Sequence, residues 1–258
     1  MTPLALDHVA FGVRNVGAIA ESFGRIGFTA TAPSRCAWDQ GDGPMTSSSV
    51  SVMFAEQYLD FVEIDHPRWL EHLERSPLYG GRAAPSGIVL RGFTKEEIRA
   101  RGASYTITRT LEGASPSQVR YEFLSAPDSG LPLGLIFDAA PAAMRTPEWL
   151  THPNTASAIR RLHLWAPANR RVADWIDLEA VGIERTALIQ DDYLSRVAAL
   201  APQMGRPSLL SIQIEVADLA AARAVLAGSG VGFDEDAGKL RIDPQEGLGL
   251  GVQLVAAE

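Results

Sequence analysis

Apolar residues recur along this chain in two rhythms, a period of two that marks strands and a period near 3.6 that marks helices. Residues 6–13, "LDHVAFGV", read as a strand with His8, Ala10 and Gly12 on one face and Val9, Phe11 and Val13 on the other. Ala18, Ile19, Ser22 and Phe23 follow at helical spacing, with Asn15 placed to cap the helix and Gly27 to end it. Residues 28–31 are expected to open a second strand, and "SSVSVMFA" and "YLDFVEI" supply two more. The unit reads β-α-β-β-β.

The same order returns near the other end of the chain. "IQIEVADLAAARAVLAGSGVGFDED" gives a strand, an Asp218 cap, an Ala-rich helix and a Gly-containing stop, and "KLRIDP" and "LGLGVQLVA" follow as strands. Val13, Asn15, Val16 and Phe28 correspond to Val216, Asp218, Leu219 and Phe233. Two weaker copies lie between, one beginning "SGIVLRGFTKEEIRARGASYTI" and one "IRRLHLWAPANRRVADWIDLEAVGIE", the latter with hard-to-see later strands. Four units grouped as two pairs fit the length, because a small mixed unit completes its core against a neighbour. The Pro-, Ala- and Thr-rich stretch "DAAPAAMRTPEWLTHPNTA" marks the boundary. The expected division is residues 1–140, a linker at 141–157, and residues 158–258 with a degenerate first module.

Composition narrows the partners. The 258 residues are 46% hydrophobic and carry a formal net charge of −8, which disfavours a nucleic-acid backbone as partner. Cys36 is the single cysteine, so an intrachain disulfide and a cysteine zinc site are both excluded. The N-terminal residues lack the pattern of a secretory signal, and no apolar run is long enough to span a bilayer, so the expected location is cytoplasmic. The expected partner is a small molecule rather than nucleic acid or membrane, and oligomeric state stays open, a homodimer included.

"LDHVAFGVRNVGAIAESFGRIGF", "YLDFVEI", "HPNTA" and "IEVADLAAARAVLAGSGVGF" together resemble the vicinal oxygen chelate superfamily, in its glyoxalase-like branch. The resemblance implies an α+β fold in which paired βαβββ modules curl into open half-barrel cups, in two tandem domains. It also implies one divalent metal held by His and Glu from particular strands, with isomerisation, lyase or dioxygenase chemistry. Some relatives hold no metal and only bind or sequester a small molecule.

His8 matches the first metal-ligand position of that pattern. Asp60 and Glu63, on opposite faces of "YLDFVEI", both remain candidates for the acidic ligand. The second unit departs from the pattern, because Pro85, Ser86 and Gly87 stand where its first ligand would lie and "LPLGLIFDA" has no acid before Asp138. Two ligands are fewer than the three protein ligands of catalytic zinc sites, so the set fits an incomplete site for Zn, Mn, Fe or Ni, or none. Without a metal, His8 can serve as a general base tuned by Asp60, or simply as a hydrogen-bonded barrel residue. Arg91 and Tyr121 are candidate substrate contacts. So is Ser49, which shares a face with Ser47 and Ser51 in a polar-lined or solvated wall. His163 reads as partly buried without chemistry, and His152 as part of a turn that docks the two halves. His66 and His72 read as surface residues beside a short helix.

Overall fold

The computed structural model describes residues 4–39, 44–64, 83–101, 105–111, 117–125, 133–137, 144–166, 177–186, 191–199, 208–247 and 249–257. The first module is β1 (Ala5–Val13), α1 (Val16–Ile26), β2 (Ser34–Asp39), β3 (Pro44–Met53) and β4 (Tyr58–Ile64). The second is β5 (Ala83–Arg91), α2 (Lys95–Arg101), β6 (Tyr105–Leu111), β7 (Ser117–Ser125) and β8 (Leu133–Phe137). Each supplies one curled half of an eight-stranded barrel in the order β1-β4-β3-β2-β6-β7-β8-β5. β1 joins β5 on one side, and β2 joins β6 from Ser34↔Leu111 to Trp38↔Ile107 on the other. The outer edges of the two halves are therefore zipped together.

Local sequence explains the helices. The Asn15 side chain accepts from the Ala18 N–H, and Gly27 ends α1 at φ 92°, the left-handed region that glycine enters without steric cost. A Cβ on Gly27 would lie 2.7 Å from Val225 and 2.8 Å from Asn154, so close approach also excludes a side chain. At α2, the Thr94 hydroxyl accepts from the Glu97 N–H and the Glu97 carboxylate accepts from the Thr94 N–H, a reciprocal cap. The strand expected at residues 28–31 starts later, at Ser34. Phe28 instead folds back to bond the Phe23 carbonyl, and Thr31 alone meets β3, through Ser51.

Beyond the barrel come β9 (Ala156–Trp165), β10 (Ile183–Thr186), α3 (Asp192–Ala199), β11 (Ser208–Val216) and α4 (Leu219–Gly228). β12 (Phe233–Asp236), β13 (Lys239–Ile242) and β14 (Gly251–Ala256) complete a six-stranded sheet in the order β10-β9-β11-β14-β13-β12. The β11-to-β14 unit is a full βαβββ module, capped at α4 by Asp218. The module before it keeps only β9 and β10 among the described residues, and α3 packs where a cup would be open. Gly251 leaves room for that helix, since a Cβ there would come 3.1 Å from both Tyr193 and Val197.

The outer faces of both sheets share one core. Val9, Phe11, Leu59 and Phe61 receive Ile19, Phe23 and Ile26 of α1, while Ile212, Ile214 and Leu254 lie with Ala222 and Leu226 of α4. The two helices touch each other. Each large apolar side chain buried here contributes about 1.5–3 kcal/mol. The "THPNTA" turn docks the halves as the sequence implies. Asn154 donates from its backbone to Gly27 and from its side chain to Ile26. His152 accepts from the Thr29 N–H through Nδ1 and donates through Nε2 to the Met53 carbonyl. No helix among the described residues is long and apolar enough to cross a membrane.

Candidate functional site in the barrel interior

With helices packed outside, the alternate residues of each strand point inward. The β1–β4 register pairs His8 with Tyr58 and Ala10 with Asp60, placing all four on the inner face. Ser51 pairs with Asp60 and Ser34 with Ser49, which brings the hydroxyls of β2 and β3 to the same face. Ser47, Ser49 and Ser51 are all buried, so they form an interior wall and not a solvated one.

Arg109, 1% exposed, lies among them. Its Nε donates to the Ser34 hydroxyl (2.8 Å), and Nη2 donates to Ser49 (2.8 Å), Ser51 (2.9 Å) and Asp60 Oδ1 (3.3 Å). Ser51 also donates to Asp60 Oδ1 at 2.7 Å. A buried guanidinium requires such partners, because arginine stays charged and an unpaired buried charge carries its full desolvation cost. Cys36 sits opposite Arg109 in the strand register. Burial pushes its thiol pKa up, with Arg109 pulling down and Asp60 pushing up, so Cys36 stays protonated and poorly nucleophilic. Met53, Tyr58, Leu111 and Met144 form an apolar cluster, with Trp149 and Leu150 packed against it.

His8 stacks on Tyr58, ring centroids 4.4 Å apart, and its Nδ1 lies 2.6 Å from Oδ1 of Asp7. Adjacent strand residues normally face opposite ways. Here the β1–β5 register slips between Leu6 and His8, so the extra residue, Asp7, escapes the alternation and its carboxylate reaches the imidazole. Asp7 is 0% exposed, and among the described residues its Oδ2 has no hydrogen-bond partner. With the carboxylate as acceptor, the shared proton of this bond sits on Nδ1 of the ring.

The expected site residues distribute as follows. His8 and Asp60 share the interior, two ladder positions apart, on the order of 7 Å along the strands. Each bonds elsewhere: His8 to Asp7, Asp60 to Ser51 and Arg109. Glu63 lies on the other face, where its carboxylate accepts from the Val16 N–H and anchors the start of α1. Ser49 is inside. Arg91 pairs with Glu56 at the surface (2.7 Å), and that bond holds the Glu56 carboxyl below its usual range. Tyr121 pairs with Ile107 in the β6–β7 register; its side chain, like His66 and His72, lies outside the described residues. His163 is buried beside Glu184 in the second sheet.

Two participants were not foreseen. Arg109 was legible: in "YTITRTL" it alternates with Ile107 and Leu111 on the apolar face, where an arginine needs a reason. Asp7 was not, because only the bulge turns it toward His8.

Among the described residues no three His, Cys, Asp or Glu side chains converge. Oδ1 of Asp60 holds the guanidinium and Nδ1 of His8 holds Asp7.

A barrel of paired βαβββ modules with a polar interior defines the vicinal oxygen chelate class. The chain belongs to the glyoxalase-like domain family, which it matches over residues 6–179. Among solved structures it is similar to a triple mutant of 4-hydroxymandelate synthase from Streptomyces coelicolor, at TM-score 0.56 and 13% identity, covering 99% of this chain and 93% of that one. A hypothetical protein from Staphylococcus aureus gives 0.56 and 9%, covering 99% and 100%. A xylose isomerase-like TIM barrel/4-hydroxyphenylpyruvate dioxygenase fusion protein gives 0.52 and 12%; this chain is 99% covered and spans 49% of that length. At these identities the likeness shows the fold alone. No curated protein matches the chain.

Proposed function

We propose that the protein binds a small oxygen-rich molecule inside the barrel without a resident metal ion. The observation that carries this reading is Arg109, a buried guanidinium ringed by Ser34, Ser49, Ser51 and Asp60. It supplies positive charge and directed N–H donors where the resemblance would place a cation, and so performs the electrostatic part of that role. Hydroxyls around it can donate or accept, which suits carbonyl, hydroxyl or carboxylate oxygens of a ligand.

A second reading rests on Asp7 and His8. A fully buried carboxylate fixing an imidazole tautomer is the arrangement of a general base, and it supports proton transfer of the isomerase or lyase kind. Dioxygenase chemistry has less support, since it calls for a metal and the described donors do not converge on one.

Elemental analysis of protein purified without chelators tests the first reading, together with thermal-shift screening against small oxygenated compounds. Substoichiometric metal is expected, and ligand-induced shifts that Ser49→Ala reduces. Stoichiometric divalent metal that disappears in His8→Ala would overturn the reading. Isomerase or lyase activity lost in His8→Ala, with binding retained, would establish the second.

A further inference from the structure

Open space lies outside the barrel. A cleft of about 600 Å³ lies between the start of β1 and the β9–β10 edge of the second sheet, within the size range of small-molecule sites, which favour such junctions. Leu4, Leu6, Ile159 and Val181 give it apolar walls. Arg161 and Glu184 stand on the same lining, 2.7 Å apart, with 49% and 47% of their side chains exposed.

We propose that this cleft is a second binding site, separate from the barrel, for a zwitterion of amino-acid type with an apolar side chain. An exposed ion pair such as Arg161–Glu184 is held weakly, so a ligand can open it at little cost. A carboxylate then takes the Arg161 fork, in the bidentate geometry guanidinium favours, and an ammonium takes the Glu184 carboxylate. Glu179 on the same lining gives the ammonium a second acceptor. A ligand with one charge would break the pair and leave the other charge unmatched. A zwitterion exchanges one pair for two, and its apolar side chain lies against the half-buried Leu4.

His163 is the reporter of this event. Its Nδ1 is 3.6 Å from Glu184, and among the described residues its buried Nε2 has no hydrogen-bond partner, so it senses movement of that carboxylate.

Isothermal titration of the full chain with L-leucine, L-leucinamide and N-acetyl-L-leucine tests the proposal. Leucine is expected to bind and to shift the His163 imidazole resonances, identified by their loss in His163→Asn. Each blocked analogue, and leucine itself against Arg161→Gln or Glu184→Gln, is expected to bind about tenfold or more weakly, as loss of one charge-assisted bond implies. Both substitutions are at exposed positions, so folding is retained and circular dichroism confirms it. Absence of leucine binding at millimolar concentration overturns the proposal. So does equal affinity for the blocked analogues, or undiminished binding by both variants.

Discussion

Replacing Arg109 by methionine isolates the interior network. The variant keeps an apolar stem of similar length but removes the donors to Ser34, Ser49, Ser51 and Asp60. Ser34 and Ser49 retain each other at 2.9 Å, and Asp60 retains Ser51. The main loss is therefore the positive charge beside a carboxylate that is only 10% exposed. Stranding one member of a buried pair costs about 3–5 kcal/mol. For a chain of this size that is roughly a 6–20 °C drop in Tm. Asp60→Asn in the Arg109→Met background removes the stranded charge, so the double variant should recover about 1–3 kcal/mol of coupling. Urea unfolding followed by tryptophan fluorescence measures all three proteins. A loss below about 1 kcal/mol for Arg109→Met would match an exposed pair and refute the buried network. Additive effects in the double variant would show that Arg109 and Asp60 do not interact.

Burial lowers the pKa of His152 and of His163. Groups held neutral in the fold but free to protonate when unfolded give stability that is present above pH 6.5 and lost as pH falls through their folded values. Urea midpoints should therefore drop between pH 7.5 and pH 5.5, and His152→Gln should flatten that dependence even as it removes the Thr29 and Met53 bonds; an unchanged slope contradicts the burial argument. Gly27→Ala should destabilise by about 1–3 kcal/mol or more, since φ is 92° and Val225 and Asn154 leave no space; a neutral thermal shift would contradict the docking of α1. Tyr193→Phe should cost about 1–3 kcal/mol, measured by the same melts, because its hydroxyl donates to the Ile242 carbonyl (2.8 Å) under α3.

The repeat was legible because strand and helix periods, Asn15, Asp218 and Gly27 all act within a few residues of themselves. The β-α-β-β-β order needs nothing long-range to be read. The late start of β2 needed more, since Thr31 is fixed by Ser51, twenty positions away in sequence, and no local propensity records that bond. The site was half legible for the same reason. Alternation correctly separated Asp60 from Glu63, and Ser49 from the residues on either side of it. The partner of His8 depended on a register slip against β5, which only the folded sheet creates. The arginine was visible as an exception on an apolar face, but Ser34, Ser49, Ser51 and Asp60 reach it from three other strands.

The two halves use the same ladder positions with different chemistry, and that difference supports placing the proposed ligand site in the barrel. In the β1–β4 ladder the inner pairs are His8–Tyr58 and Ala10–Asp60; the corresponding pairs of β11 and β14 are Ser211–Gly251 and Gln213–Gln253. The second set is neutral. Gln253 donates to Ser211 at 3.0 Å, and α3 packs onto Gly251, so that cup is filled by the chain itself. Buried neutral groups satisfied in this way stabilise a core without needing charge. The barrel instead keeps Asp7, His8, Asp60 and Arg109 inside, although apolar residues of the same volume would be as stable or more so. A buried Arg109–Asp60 pair and an Asp7–His8 hydrogen bond in one interior, beside a duplicate module without them, support the proposal that these groups serve a ligand.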